Sequence, residues 1–245
     1  MATHTLTTRM LSSHLLALSL LALFVSVPVT AEAKNESRGE IYRQGMEAPK
    51  NVTLDAIPVC YDFGCKNGSV VNLPLTEWQT VAGWFSPSAK TPAEERNQLQ
   101  RAVGWMEVLI GRYTPTHNDL AFDLPKDDES KAVFPGQMDC IDEAVNTTVY
   151  LQLFESMGLM RHHTVIEQAY RKAIFDQHWA GQIAELASGE KYVVDSWFQP
   201  NGHLPVIQKS VHWKDINILT AVVDNSPDGD TEVKRSWWHR FLRNE

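Results

Sequence analysis

Hydrophobic residues recur at helical spacing in two segments of the chain. The first segment opens with the capping box Thr91-Pro92-Ala93-Glu94, which has proline at the first helical position, and it ends at Gly111. The second follows Asp139, a good N-cap residue, and ends at Gly158. The apolar stripes are Leu99, Ala102, Val103, Met106 and Ile110 in the first segment and Ile141, Val145, Val149, Leu153 and Met157 in the second. The pattern therefore predicts two amphipathic helices, and for the first of them a packing role alone.

The chain after Gly158 shows patterns typical of strands. Met160 to Ile166 is predicted as a strand, and Gln168 to Phe175 as a short helix. Two further strands, His178 to Leu186 and Lys191 to Phe198, flank Ser188-Gly189, a hairpin signal. Helices and strands therefore both contribute to the predicted structure.

Two stretches have no clear period. Residues 34–58 are polar and contain several glycines and prolines, which predicts a loosely ordered lead-in. Tyr113 to Pro135 lies directly before the Asp139 helix and includes an acidic run. A loop of this length is either a wall of a functional cleft or a solvated surface loop, and the sequence leaves both interpretations open.

Length and charge limit the classes of protein that the chain can belong to. At 245 residues it accounts for one domain or at most two, with an ordinary hydrophobic content of 43%. Its net charge of −8 argues against a nucleic-acid partner, because a phosphate-binding surface needs a basic excess.

The N-terminal segment has the features of a secretory signal peptide. Leu15 to Val27 is an apolar run too short to span a bilayer, and Ala31-Glu32-Ala33 offers a small-x-small cleavage site. The prediction is a signal peptide over residues 1–33 and a single domain over 34–245, exported to the periplasm or secreted. An uncleaved anchor is the alternative.

The three cysteines divide into a close pair and a single residue. In an oxidising compartment Cys60 and Cys65 can close a small loop, which leaves Cys140 unpaired. A metal site at the pair would lack a second pair of ligands. The sequence therefore predicts a Cys60–Cys65 disulfide and a free thiol at Cys140.

Cys140 is the candidate nucleophile. At the first position of its helix it faces unpaired amides, which favour thiolate over thiol, although Asp139, Asp142 and Glu143 oppose that effect. A histidine from elsewhere in the fold would supply the cationic partner that the thiolate needs. The alternative is that Cys140 is a small buried hydrophobe, as most free cysteines are.

His178 and Asp195 are the candidate partners of that thiol. They lie on the two predicted hairpin strands and share a face of the sheet in any register that pairs even with odd positions. A tight turn centred on Ser188-Gly189 would set Asp195 opposite Gln182 and about 13 Å along the strand from His178. A direct contact between the two side chains then requires a wider loop or a bulge.

Two other uses of histidine remain open at this point. His162-His163 is a rival base, although no strand carboxylate follows it at hairpin distance, which favours core or surface histidines. His163, His178 and Asp195 could instead bind a metal ion, but that arrangement leaves Cys140 without a role.

At these residues the sequence resembles the transglutaminase-like superfamily of papain-type cysteine enzymes, in particular its exported bacterial cysteine-proteinase branch. The resemblance rests on Gly136-Gln137-Met138-Asp139-Cys140 before a helix, His178-Trp179 about forty residues later, and Val193-Val194-Asp195 at the end of a hairpin. It implies an α+β fold with the cysteine helix packed on an antiparallel sheet. It also implies a Cys140 nucleophile, a His178 base and an orienting Asp195, with no cofactor and no metal. The oxyanion would bind the Cys140 amide and a second donor, for which Gln137 is a candidate.

Two functions from different classes follow. The first is an exported cysteine hydrolase or acyltransferase that acts on peptide-like amides of a polypeptide or cell-wall peptide. The second is a non-catalytic exported binding protein on the same scaffold. The aromatic and basic tail Ser236 to Arg243 could contact a membrane surface or dock on its own domain.

Overall fold

The computed structural model describes residues 48–122, 135–173, 176–215, 221–223 and 233–235, which all belong to one unit spanning Glu36–Glu245. Its helices are α1 (Leu75–Ala82), α2 (Pro92–Ile110), α3 (Cys140–Ser156) and α4 (Ser210–Lys214). Its strands are β1 (Ile57–Tyr61), β2 (Asn67–Val71), β3 (His163–Val165), β4 (Ala169–Ala173), β5 (Asp176–Glu185), β6 (Lys191–Asp195), β7 (Val206–Lys209), β8 (Ala221–Val223) and β9 (Val233–Arg235). The fold is thus a mixture of helices and antiparallel sheets.

The largest sheet has the order β3-β5-β6-β7, and β4 pairs with the other end of β5. Gly181 pairs with Val194 and Gln182 with Val193, so the expectation that Asp195 lies opposite Gln182 is wrong by two residues. The cause is the turn, which is centred earlier than Ser188-Gly189. The last residue pair of β5 and β6 before this turn is Ala184 with Lys191.

The predicted helix over Gln168 to Phe175 is also wrong. Ala169–Ala173 is strand β4, which pairs antiparallel with Asp176–Ala180 of β5. Ala169 and Arg171 are both buried, which is the alternation of a strand. Pairing with β5 therefore outweighs the helical propensity of this short segment.

Helix α3 packs against β5 and against β1, and it is buried on nearly all sides. At Gly181 of β5 an added Cβ would come within 2.9 Å of Thr147 on the helix, so the close contact requires glycine there. On β1, the Asn146 side chain accepts a hydrogen bond from the Cys60 amide and donates one to the Cys60 carbonyl, both at 2.8 Å. Asn146 thus satisfies the main-chain N–H and C=O groups of Cys60 at the edge of β1, as a neighbouring strand would.

Residues 48–58 of the polar lead-in are more ordered than their composition predicts. Ala48, Val52 and Ile57 are all buried in the main hydrophobic core, with which α1, α2 and α3 also pack. The part of residues 34–58 that the structure describes therefore belongs to the domain. A few apolar residues anchor it.

Two predicted segments lie outside the described residues. They are the signal peptide and the tail Ser236 to Arg243. Within the described ranges no helix is long and apolar enough to cross a bilayer.

Helix α2 begins and ends as predicted. Thr91 accepts a hydrogen bond from the Glu94 amide at 3.2 Å, and Gly111 is the C-cap. The Glu94 carboxylate reaches back to the Lys90 amide rather than to Thr91, so the capping box is incomplete.

The role of α2 is not limited to apolar packing. Its buried Glu95 accepts hydrogen bonds from the main chain of Arg161, His162 and His163 and from the His163 ring at 3.0 Å. Arg96 lies 4.0 Å over the ring of Tyr192 and pairs with Glu185. These contacts join α2 to β3 and β6 through polar groups.

We predict that Glu95→Gln lowers the free energy of unfolding by about 1–3 kcal/mol near neutral pH. Burial alone would raise the pKa of Glu95, but hydrogen bonds from His163 and from the main chain of Arg161 and His162 outweigh it and lower that pKa. A lowered carboxyl pKa gives stability that is present above the unfolded value, near 4.3, and is lost as pH falls through the folded value.

Urea unfolding of both proteins at several pH values measures this effect. The stability difference should shrink below about pH 4. The matched control is Glu94→Gln, one residue away and exposed. An equal loss in both variants, or a difference that does not change with pH, would contradict the role of Glu95.

Candidate functional site

The structure brings His178 and Asp195 into direct contact. His178 Nε2 lies 2.8 Å from Asp195 Oδ2, and the two residues are 0% and 1% exposed. The register explains the contact, because continuing the β5–β6 pairing sets Asp195 across from Ala180, two residues from His178. Diagonal neighbours on one face of a sheet are within reach of long side chains. No bulge is needed.

Aromatic rings surround the His178 imidazole. The ring centroids of Trp197, Phe198 and Trp213 lie 4.8, 5.4 and 5.4 Å from that of His178. These rings exclude water, which strengthens the electrostatic interaction between His178 and Asp195. Sequence reasoning did not identify Trp213, which comes from helix α4.

Cys140 is the first residue of α3, as predicted. Asp139 is the N-cap and accepts hydrogen bonds from the amides of Ile141 and Asp142, and the Asp142 carboxylate in turn accepts one from the Asp139 amide. The thiol Sγ lies 3.9 Å from the Gln177 carbonyl oxygen, and the Trp179 amide also hydrogen-bonds to it. The thiol therefore contacts main-chain atoms of the residues directly before and directly after His178.

The thiol and the imidazole approach β5 from different directions. The Cys140 thiol lies against the part of β5 before Gly181, where β6 no longer pairs with it. His178 is on the face of β5 covered by Trp213 of α4, whereas Gly181 faces α3. In this structure His178 Nδ1 has no hydrogen-bond partner, so the thiol and the imidazole are not hydrogen-bonded to each other. Because Asp195 occupies Nε2, Nδ1 is the nitrogen that remains for a proton from the thiol.

The surroundings of Cys140 favour the neutral thiol. Burial, with Asp139 as the next cause, raises the pKa of Cys140 far above its usual range, and the Trp179 amide opposes this only in part. The expected effect of the helix N-terminus is therefore outweighed, by burial first and then by the opposing charge of Asp139 that the sequence indicates. Cys140 is only 9% exposed, and the desolvation of a buried anion exceeds the effect of the helix dipole.

Cys60 and Cys65 form a disulfide, and Cys140 is free, as the sequence predicts. The loop closed by the disulfide has four consecutive residues with positive φ, from Asp62 to Cys65. This left-handed turn directs successive amides inward. The Cys65 amide donates to Asp142 at 2.5 Å, with further amides of the loop on Asp142 and Asp139.

The disulfide also bears on metal binding. Ligand atoms of Cys60, Cys65 and Asp142 lie within 4.8 Å of one another, and this is the only such group among the described residues. Because the two sulfur atoms are bonded to each other, they offer no thiolate to an ion.

A metal site built from His163, His178 and Asp195 does not fit the structure. His163 pairs with Glu185, seven residues along β5 from His178 and hence about 23 Å away. The His163 ring is bound to Glu95, and His162 Nε2 lies 3.2 Å from the Ala89 carbonyl oxygen. Both are structural histidines, which removes the rival base.

Gln137, the candidate second oxyanion donor, is buried. Its Nε2 donates to the Asn118 carbonyl, and no hydrogen bond reaches its Oε1. The side chain thus positions the loop before Cys140, and its donor group is turned to that loop. The structure does not support Gln137 as an oxyanion donor.

The described part of the loop from Tyr113 onward lies beside the candidate site. The Asp119 carboxylate accepts a hydrogen bond from the Met138 amide, and the Phe122 ring packs 5.3 Å from Trp197 and from Phe198. These contacts favour the cleft-wall interpretation for residues 113–122. Residues 123–134 lie outside the description.

Behind the site lies a group of buried carboxyls, of which the sequence indicated Asp142 and Glu143 as neighbours of the thiol but not Glu107. Glu107 of α2 accepts hydrogen bonds from Ser196 Oγ at 2.7 Å and from the Gly202 amide at 2.8 Å, and burial raises its pKa to about 7. Burial, together with Asp139, raises the pKa of Asp142 to about 8. The only signal of Glu107 in the sequence is a glutamate among the apolar positions of its helix.

Glu143 is the most isolated of these carboxyls. It is 2% exposed, and neither carboxylate oxygen has a hydrogen-bond partner. Burial and then the Glu107 charge raise its pKa well above the usual range, which favours the protonated form.

Comparison of the chain with models of protein families, with curated proteins and with solved structures gives no match.

We predict that Glu143→Gln stabilises the protein, and more at pH 8 than at pH 5. The amide has the shape of the protonated acid but does not have to bind a proton on folding. That uptake costs about 1.4 kcal/mol for each pH unit above the unfolded pKa near 4.3, up to the raised folded value. Because the folded pKa of Glu143 is raised, the wild-type protein loses stability relative to the variant as pH rises.

Thermal unfolding at the two pH values measures the effect. Glu155→Gln on the same helix is the control, because its carboxylate accepts hydrogen bonds from Thr164 and Val165 and gains nothing from the change. Destabilisation by Glu143→Gln at pH 8 would show that the Glu143 carboxylate is ionised and paired.

Proposed function

We propose that the chain is an exported cysteine hydrolase or acyltransferase acting on peptide-like amides, with the papain/transglutaminase-like arrangement that its sequence resembles. Cys140 is the nucleophile, His178 the base and Asp195 the residue that orients the base. The observation that carries the proposal is the buried 2.8 Å contact between His178 Nε2 and Asp195 Oδ2. It leaves Nδ1 to receive a proton.

The position of Cys140 is the second support. Its thiol contacts the main chain of Gln177 and Trp179, the two neighbours of His178. Catalytic hydrogen bonds are often long in the free enzyme and shorten in the substrate complex. Substrate binding at this edge of β5 would bring Sγ and Nδ1 together.

The raised pKa of Cys140 determines the order of events. The thiol starts out protonated, so it loses its proton to His178 Nδ1 while Sγ attacks the acyl carbon. Asp195 stabilises the imidazolium, and the Cys140 amide donates to the oxyanion. His178 then returns the proton to the leaving amine, and water or another amine attacks the thioester.

One set of observations favours the alternative, a non-catalytic exported binding protein. Cys140 is nearly buried, its pKa is raised, and it makes no hydrogen bond to His178. A thiol retained only for packing has these properties. The polypeptide or cell-wall peptide would then be bound and not cleaved.

Alkylation of Cys140 separates the two functions. We expect iodoacetamide to label Cys140 near neutral pH and the rate to fall about tenfold or more in His178→Ala, because the imidazole no longer accepts the proton. The rate is measured by mass spectrometry of the folded protein. The control is His212→Ala, an exposed histidine on α4. Labelling only at high pH and independent of His178 would support the binding protein.

Asp195→Asn tests the orienting role. We expect the variant to fold and turnover or alkylation to fall by about a hundredfold or more, because an amide can present the wrong group to the ring and cannot stabilise imidazolium. Melting temperature and Cys140 labelling rate are measured on the same sample. A folded variant with an unchanged labelling rate would remove Asp195 from the site.

A further inference from the structure

Asp195 has a second partner in addition to His178. Trp213 Nε1 donates a hydrogen bond to Asp195 Oδ2 at 2.8 Å, the same oxygen and the same distance as for His178 Nε2. The other oxygen, Oδ1, is buried without a hydrogen-bond partner. The rotation of the carboxylate is therefore fixed by two N–H groups on one oxygen, one of which belongs to Trp213.

This arrangement determines which way the carboxylate faces. If the indole N–H were absent, the His178 N–H alone would hold the carboxylate, which could then turn about its Cβ–Cγ bond, since nothing bonded to Oδ1 opposes the rotation. The indole N–H also supplies a donor to a buried carboxylate, and a hydrogen bond to a charged acceptor is among the stronger ones. Trp213 thus favours the rotation of the carboxylate in which one oxygen faces both the imidazole and the indole.

Trp213 is itself held from a second element. Arg171 Nη1 on β4 donates to the Trp213 carbonyl at 3.1 Å, and its guanidinium lies 4.8 Å over the Trp213 ring. Arg171 pairs directly with His178 across β4 and β5. The indole is 0% exposed and lies beside the imidazole, so its donor points at a fixed place.

We propose that Trp213 is a positioning residue that orients Asp195 toward His178, with Arg171 holding the indole in place. The inference rests on the proposed function for its catalytic meaning, but the orientation itself can be measured without catalysis.

The test is proton NMR of the full domain labelled with ¹⁵N-histidine. A proton shared between an imidazole nitrogen and a carboxylate in a buried site resonates far downfield and exchanges slowly with water. We expect Trp213→Phe, which keeps an aromatic ring and removes the N–H, to shift the His178 Nε2–H signal upfield or to abolish it by exchange. Phe198→Leu is the matched control, because that ring also lies 5.4 Å from His178 but has no donor. The signal should persist there.

A His178 signal that is unchanged in folded Trp213→Phe overturns the inference, even if the variant is less stable. If the phenylalanine variant does not fold, benzothienylalanine at position 213 provides the same test, because it replaces the indole N–H with sulfur at nearly constant size. Unchanged signal in that protein overturns the inference equally.

The rate of Cys140 alkylation separates this inference from the proposed function. A fall of about tenfold in Trp213→Phe, alongside the spectral change, supports both. If the alkylation rate of Cys140 does not depend on His178, the proposed function is contradicted. The NMR result still decides the role of Trp213.

Discussion

The burial of the first turn of α3 constrains the rest of the structure. A helix N-terminus has amides without partners inside the helix, and here that end lies in the interior, where water cannot satisfy them. Asp139 and Asp142 accept those hydrogen bonds, but each brings a carboxylate that needs partners of its own. The left-handed turn from Asp62 to Cys65 supplies them as main-chain amides. The disulfide and the turn thus hold the helix end, and with it Cys140.

The same burial determines the electrostatics of the site. Glu107, Asp142 and Glu143 all have raised pKa values, because desolvation favours their neutral forms. A site with so many carboxyls would carry a large negative charge if each were ionised, and that charge would oppose a thiolate further. Keeping part of them protonated lowers this repulsion. The Cys140 thiol nevertheless remains neutral, which makes a base that acts during the attack more suitable than a preformed ion pair.

The two long helices α2 and α3 and the disulfide could be predicted from the sequence because their signals are local. Thr91 and Asp139 cap the helices that follow them, and Cys60 lies close enough to Cys65 to pair. The predicted register of β5 and β6 differs from the observed one by two residues, because Ser188-Gly189 marks the turn without fixing its centre. The sequence could place His178 and Asp195 on one face but not at contact distance. The sequence predicts a helix in place of strand β4, because the pairing of β4 with β5 is a tertiary effect.

The partners of polar residues inside the predicted core are the other feature that the sequence could not predict. Glu95 and Glu107 lie on the predicted packing helix, and their partners, His163 and Ser196, are far away in the chain. The sequence pattern does not connect Trp213 to Asp195 either, since nothing local distinguishes an indole that packs from one that donates a hydrogen bond. A donor to a buried carboxylate can be recognised only once the fold gives the carboxylate its neighbours. For His178 those neighbours are aromatic, so its bond to Asp195 forms where no water competes for either group.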